Sequence, residues 1–215
     1  MTGIVRPDWP VQANVVAGTT TLLAGADELP DNLRFLNQVH GTTVVSAKAV
    51  RQAEQALDAD AVTGWNRGDL CAVRTADCLP VLFCSRDGDE VAAAHAGWRG
   101  LAAGVLENTV AAMRATPQQL VAWLGPAISQ PNFEVGSEVR DAFVAQDLRA
   151  AACFAQNSRD RWQADLYGLA RQRLVKCGLE AIYGGHWCTY ADVDRFHSYR
   201  RNPDCGRMVS FVLLK

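Results

Sequence analysis

A chain of 215 residues in which 49% are apolar is long enough to bury one large core or two small ones. A formal net charge of −2, from 21 basic and 23 acidic side chains, leaves no basic footprint and argues against nucleic acid as the main partner. No apolar run approaches the roughly 18 residues that a membrane span needs, and the opening MTGIVRPDWPVQ lacks the apolar core of a signal peptide, so a cytoplasmic protein is expected.

Residues 1–21 read as a lead-in with one strand over 13–17, and 21–31 carries no clear period. A strand is expected over 33–39, ending in Gln38-Val39-His40-Gly41, and a β-branched strand over 42–46. Residues 47–57 read as a short helix or loop, and 58–64 as a turn into a short strand. Strands follow over 70–75, 80–84 and 90–94, the last two joined by a turn at Asp87-Gly88-Asp89. Leu101, Val105, Leu106, Val110 and Met113 recur at helical spacing and predict a helix over 101–114. A strand over 120–124 is stopped by Gly125-Pro126. A helix is expected over 136–143, with Phe133, Val135, Val139 and Phe143 supplying apolar contacts.

A further helix over 165–177 has Leu166, Leu169, Leu174 and Val175 on its core face, Asp165 at its start and Gly178 just past its end. A strand over 179–183, a loop-rich segment over 184–206 and a closing strand over 208–214 complete the chain. There is no repeat, low-complexity tract or linker, so a single domain over 1–215 is expected. Strands that are apolar throughout imply sheets covered on both faces. The fold class is α/β (α+β) with mixed strands and helices.

Seven cysteines, an odd number with no C-x-x-C pair, argue against a disulfide framework. Cys71, Cys84 and Cys177 sit in apolar settings and read as small core residues. Cys78 lies between two apolar runs, and His40 and His95 each follow a strand directly. Two imidazoles and one thiolate suit Zn²⁺ and leave a fourth position open, the pattern of a catalytic site. Spacing alone leaves open a core role for Cys78 and satisfied polar roles for the histidines. The same residues also read as a thiolate nucleophile with an imidazole base, in which Asp77 either orients the imidazole or serves as a turn residue.

Gly97-Trp98-Arg99-Gly100 opens a helix, and its free N–H groups with Arg99 suit a phosphate or carboxylate; a glycine turn with a surface arginine is the alternative. The segment around Cys188-Thr189-Tyr190 and Phe196-His197-Ser198-Tyr199-Arg200-Arg201 mixes aromatics, hydroxyls and arginines. It suits either stacking on a base with anion binding, or packing of an ordered loop. Gly104, Glu107 and Asn108 read as helix surface or packing.

With these residues in hand, the chain resembles the YfiH-like family, also named the laccase-domain or multicopper polyphenol oxidase family. The matching stretches are NQVHG at 37–41, DADAVTG at 58–64, TADCLPVLF at 75–83, AAAHAGWRGLAAGVLENTV at 92–110, AWLGPAI at 122–128, FEVGSEV at 133–139, DLYGLARQRL at 165–174 and SYRR at 198–201. The resemblance implies metal ligands at His40, Cys78 and His95. It implies a zinc-dependent purine nucleoside phosphorylase with adenosine deaminase and methylthioadenosine phosphorylase activities, whose partners are a purine nucleoside and phosphate. Arg99, Ser198 and Arg200 are the expected substrate contacts.

The fold it implies is a layered α/β/β/α sandwich of mixed sheets, CNF1/YfiH-like. Some members carry the name peptidoglycan editing factor, so a protein that binds or edits a cell-wall precursor is an alternative. A copper (Cu²⁺) phenol oxidase is another. However, the four histidines of this chain cannot furnish both a blue-copper centre and a three-copper cluster. One departure stands out. Family members carry a Thr-Thr-Arg-x-Gly-Gly loop and an Asn-Leu-Gly stretch ahead of the QVHG motif, whereas Thr19-Thr20-Thr21 here runs straight into Leu22-Leu23-Ala24, roughly thirty residues shorter. No oligomeric state follows from the sequence.

Overall fold

The computed structural model describes residues 3–215. In chain order the elements are β1 (Ile4–Val5), β2 (Val15–Thr20), β3 (Val44–Ser46), α1 (Ala47–Gln52), β4 (Ala61–Gly64), β5 (Leu70–Thr75), β6 (Leu79–Ser85), β7 (Val91–Ala96), α2 (Trp98–Ala103), α3 (Val105–Ala112), β8 (Leu120–Leu124), β9 (Glu134–Val135), α4 (Ser137–Val144), β10 (Phe154–Gln156), β11 (Trp162–Ala164), α5 (Leu166–Lys176), β12 (Ala181–Gly184) and β13 (Met208–Leu214).

A six-stranded sheet runs β12-β8-β6-β7-β4-β3. Its centre is antiparallel, and its edge strands β12 and β3 pair in parallel with their neighbours. A four-stranded antiparallel sheet runs β1-β2-β13-β5, and a small third sheet runs β10-β11-β9. Strands β6, β7 and β8 are buried along their whole length. They show no apolar–polar alternation because both faces are covered. Val81, Phe83, Ala92, Ala94, Ala122 and Leu124 meet the helices. Leu82, Cys84, Val91, Ala93 and Trp123 meet Ala17, Cys71, Val73 and Val212 of the smaller sheet.

The result is a layered sandwich of mixed sheets. The outer face of the smaller sheet is covered by Leu29, Leu33 and Phe35, on a segment whose one helical piece is the 3₁₀ turn Ala26–Glu28. No helix among the described residues is long and apolar enough to cross a membrane.

Strands β5, β8 and β13 lie where the sequence predicts them. The strand expected over 33–39 does not form. That segment crosses the outside of the smaller sheet and makes one isolated bridge, Asn37 with Asp58, so its apolar side chains mark packing and not a ladder. The helix expected over 101–114 begins earlier, at Trp98, and divides at Gly104, whose φ of 104° suits glycine. Val175 is 60% exposed and not on the core face of α5, which Leu166, Leu169, Ala170 and Leu174 form. Residue 175 follows Leu174 by one step of helix rotation, about 100°, and that step turns it to solvent. Gly178 closes α5 as expected, with its N–H bonded to the Val175 carbonyl. Cys71 and Cys84 are fully buried, and Cys177 is half-buried. The sheet of β9, β10 and β11 has no counterpart in the sequence reading. Its strands are two or three residues long, too short to show a period.

Candidate metal centre and its clefts

Cys78 sits immediately before β6 and His95 near the end of β7, where Pro80 pairs with His95. Alternation along β7 puts His95 on the side of Val91 and Ala93, facing the smaller sheet. His40 arrives from the irregular 37–43 segment with φ 59°, in the left-handed region that few side chains adopt. The ligand atoms of His40, Cys78 and His95 all lie within 4.8 Å of one another, the one such group of donors among the described residues. Cys78 Sγ is 3.9 Å from His40 Nε2. Gly97 closes the near side: a Cβ there would fall 2.9 Å from His40 Cδ2 and 3.0 Å from Cys78 Sγ. Only glycine leaves that space free.

One buried carboxylate holds the His95 ring and the backbone of His40. Asp60 is fully buried. Its Oδ1 accepts His95 Nδ1–H at 2.8 Å and the His40 N–H at 3.0 Å, while Oδ2 accepts the N–H groups of Gly41 at 2.6 Å and Val39 at 3.3 Å. Burial raises its pKa, but these bonds outweigh burial and hold it below the ordinary aspartate value. The bond through Nδ1 leaves His95 Nε2 as the ring atom turned to the thiol, a donor to a metal ion once it has lost its proton.

Burial also raises the Cys78 pKa, and hydrogen bonds to His40 and His95 outweigh it and bring the thiol to about 6. For His95 burial acts to lower the pKa, yet Asp60 and Cys78 lift it to about 9. Both shifts favour the thiolate–imidazolium form of the pair. The donor set fits a borderline-soft divalent ion held by three ligands, one of them oriented by the Asp60 carboxylate.

Two clefts meet at the trio, and His40, Ala76, Cys78 and Tyr199 line both. The smaller, about 240 Å³, is lined by Asp77, Trp98, Arg99, Phe133, Leu166 and Arg200. The larger, about 650 Å³, is lined by Asn37, Gln38, Arg74, Thr75 and Arg207. Arg99 stacks on Trp98 at 4.5 Å, and Arg200 lies over Phe133 at 5.5 Å while donating to the Glu134 carbonyl.

Asp77, with φ 85°, does not orient an imidazole. Its carboxylate accepts from Thr189 Oγ1 at 2.6 Å, Ser198 Oγ at 3.0 Å and the Arg200 N–H at 2.7 Å, and so fixes the 189–200 loop against the cleft. Ser198 is fully buried beneath Asp77. His186 stacks on Trp187 and His197 packs on Gly206, both outside the trio. Sequence reasoning did not single out Asp60. Its signal was the Asp-Ala-Asp turn ahead of β4, but its partners lie up to 35 residues away.

Fold and donor set together define a mixed-sheet sandwich with an open, three-donor candidate metal site. The chain belongs to the family described as multi-copper polyphenol oxidoreductase laccase, whose model matches residues 11–215. It is 44% identical to the purine nucleoside phosphorylase YfiH of Escherichia coli (strain K12) and 44% identical to the purine nucleoside phosphorylase PA4543 of Pseudomonas aeruginosa, each over 245 residues covering 100% of both chains. Both alignments are longer than the 215-residue chain, so each relative carries residues that this chain lacks. Among solved structures, the Neisseria meningitidis protein NMB0706 superposes with a TM-score of 0.92 at 42% identity, covering 100% of both chains.

Proposed function

We propose that this chain is a zinc-dependent purine nucleoside phosphorylase that acts on adenosine, inosine, guanosine or methylthioadenosine, with adenosine deamination as a side activity. The observation that carries the reading is the gathering of His40, Cys78 and His95 donors within 4.8 Å, opening onto clefts that hold arginines. The names of the E. coli and P. aeruginosa relatives support the same reaction.

His40, Cys78 and His95 would hold the ion, which would supply Lewis acidity toward a purine or a water. Arg99 and Arg200 place the phosphate, and their cation–π contacts with Trp98 and Phe133 keep both guanidinium groups at the cleft wall. Asp77 accepts the Arg200 N–H and so sets the height of that residue over the cleft. Ser198 serves the substrate through Asp77, since its own hydroxyl is buried. Phosphorolysis forms a bond from phosphate oxygen to the ribose C1′ and breaks the bond from C1′ to the base.

Purified protein supplied with adenosine or inosine and phosphate is expected to yield free base and ribose-1-phosphate. No base, ribose-1-phosphate or inosine from adenosine at any metal loading ends the proposal. The family description favours a second reading, a copper phenol oxidase. A chain with four histidines, two of them outside the donor group, lacks the ligands of a three-copper cluster. Blue absorbance at roughly 600 nm, where copper–thiolate centres absorb, would reverse the ranking.

A further inference from the structure

The arginines around the trio divide between its two clefts. Arg99 and Arg200 line the smaller, where the proposed reaction places inorganic phosphate. Arg74 and Arg207 line the larger. Neither of these two enters an ion pair among the described residues, whereas Arg51, Arg149, Arg159 and Arg173 each pair with a carboxylate.

Both are braced. Arg74 lies over the Phe35 ring at 4.6 Å, and its backbone N–H and C=O are clipped by the Gln38 side-chain amide at 2.8 Å each. Arg207 lies 5.7 Å from the Tyr199 ring centroid and donates to the carbonyls of Cys205 and Gly206. Sheet register brings them together: Val209 pairs with Arg74 and Met208 with Thr75, so Arg207 arrives beside the end of β5.

Two acids bonded to residues that line this cleft are already engaged. Asp60 is enclosed by its N–H donors, and Asp58 accepts from Asn37 Nδ2 at 2.6 Å. Thr75 adds a buried hydroxyl with no hydrogen-bond partner on the wall of the same cleft. Two positioned guanidinium groups on one cleft, neither paired with a carboxylate, select an anion, and their planar forks match phosphate oxygens.

A reaction that consumes one phosphate has no use for a second free one. A substrate that brings its own phosphate does fill the second place, and the larger cleft has room for a ribose with it. We propose that the Arg74/Arg207 cleft binds the phosphate ester of a purine nucleoside 5′-monophosphate, with the glycosidic bond at the trio. This rests on the nucleoside reading of the trio.

The test is calorimetric titration of the metal-loaded full chain with adenosine 5′-monophosphate, adenosine and inorganic phosphate, none of which needs turnover to be read. The monophosphate is expected to bind about tenfold or more tightly than adenosine, from charge-assisted contacts. The Arg74→Gln/Arg207→Gln double variant is expected to lose that gain and keep the affinity for adenosine. In the unaltered protein the preference is expected to shrink as salt rises, which supplies a readout independent of the variant's folding. Equal affinity for monophosphate and nucleoside, or a preference that survives both the substitutions and salt, overturns the proposal. Inorganic phosphate held by the same two arginines, with no preference for the monophosphate, assigns the cleft to the free ion and also overturns it. Failure to release base from adenosine strikes the phosphorylase reading instead and leaves these affinities interpretable.

Discussion

Asp60 holds His95 at two points: its carbonyl oxygen accepts the His95 N–H at 2.7 Å, and its carboxylate accepts Nδ1–H at 2.8 Å. The first bond belongs to the junction of β4 and β7, and the second fixes the imidazole's tautomer. The same carboxylate ties down the backbone of Val39, His40 and Gly41. Two of the three candidate donors, from distant parts of the chain, therefore share one anchor.

Asp60→Asn keeps the shape and removes the charge. It leaves at least one backbone N–H facing an amide NH₂. Zinc affinity is expected to fall about 10–100-fold, as when other outer partners of metal-bound histidines are lost. Stability is expected to fall by about 2–4 kcal/mol from the broken buried network. Competition with a chromophoric chelator and denaturant melts read the two effects. Unchanged affinity and stability together would show that the anchor is dispensable.

Cys78→Ala removes one donor of three at a half-buried position. Elemental analysis of protein purified without added metal is expected to show loss of zinc, and base release is expected to stop. Zinc content equal to that of the unaltered chain would show that the ligand assignment is mistaken.

The chelator-treated protein carries a reactive thiol. With the Cys78 pKa at about 6, its alkylation rate is expected to rise through pH 6 and level off above it. Cys71 stays inert because burial, with Asp69 and Glu90 adding to it, pushes its thiol well above the ordinary value; burial, with Asp89 and Glu90, lifts Cys84 to about 12. Added zinc is expected to block the reaction at Cys78. A midpoint at the ordinary thiol value of 9.0 refutes the thiolate–imidazolium pair. Modification at Cys78 that leaves activity intact removes the nucleophile reading of that thiol.

Asp69 gives a pH prediction away from the site. Its side chain is 2% exposed and bonds Arg51 at 2.8 Å, and Oδ2 accepts the N–H groups of Trp65 and Asn66. Burial raises its pKa, but these bonds prevail and lower it below 3.8. The stabilisation is fully present above the unfolded value of 3.8 and is lost as pH falls through the lower folded value. Asp69→Asn is expected to cost about 1.5–3 kcal/mol at pH 7 and to flatten the acid limb of the stability curve. Urea midpoints taken from neutral pH to below 3.8 measure both.

Much of this was legible in the chain. Leu70–Thr75, Leu120–Leu124 and Met208–Leu214 are apolar runs that end in turns or polar residues, and they form strands as expected. Cys78 and His95 stood out because each interrupts or ends an apolar run, and they do meet. What stayed hidden depends on long-range pairing. Asp60 looks like a turn acid until β4 is laid against β7. Arg74 and Arg207 look like surface charges until β13 pairs with β5. The 33–39 segment misled because its apolar residues pack over a sheet without joining it.

The pairing of Pro80 with His95 has a consequence for how the protein is made. A β6–β7 hairpin zipped one step out of phase would still bury alanines, yet it would turn the His95 ring toward the helices and strand the thiol alone. Such a molecule would scatter the three donors. A measured metal stoichiometry would then act as a proofreading gauge for the hairpin, separating correctly assembled molecules from look-alikes with the same secondary structure.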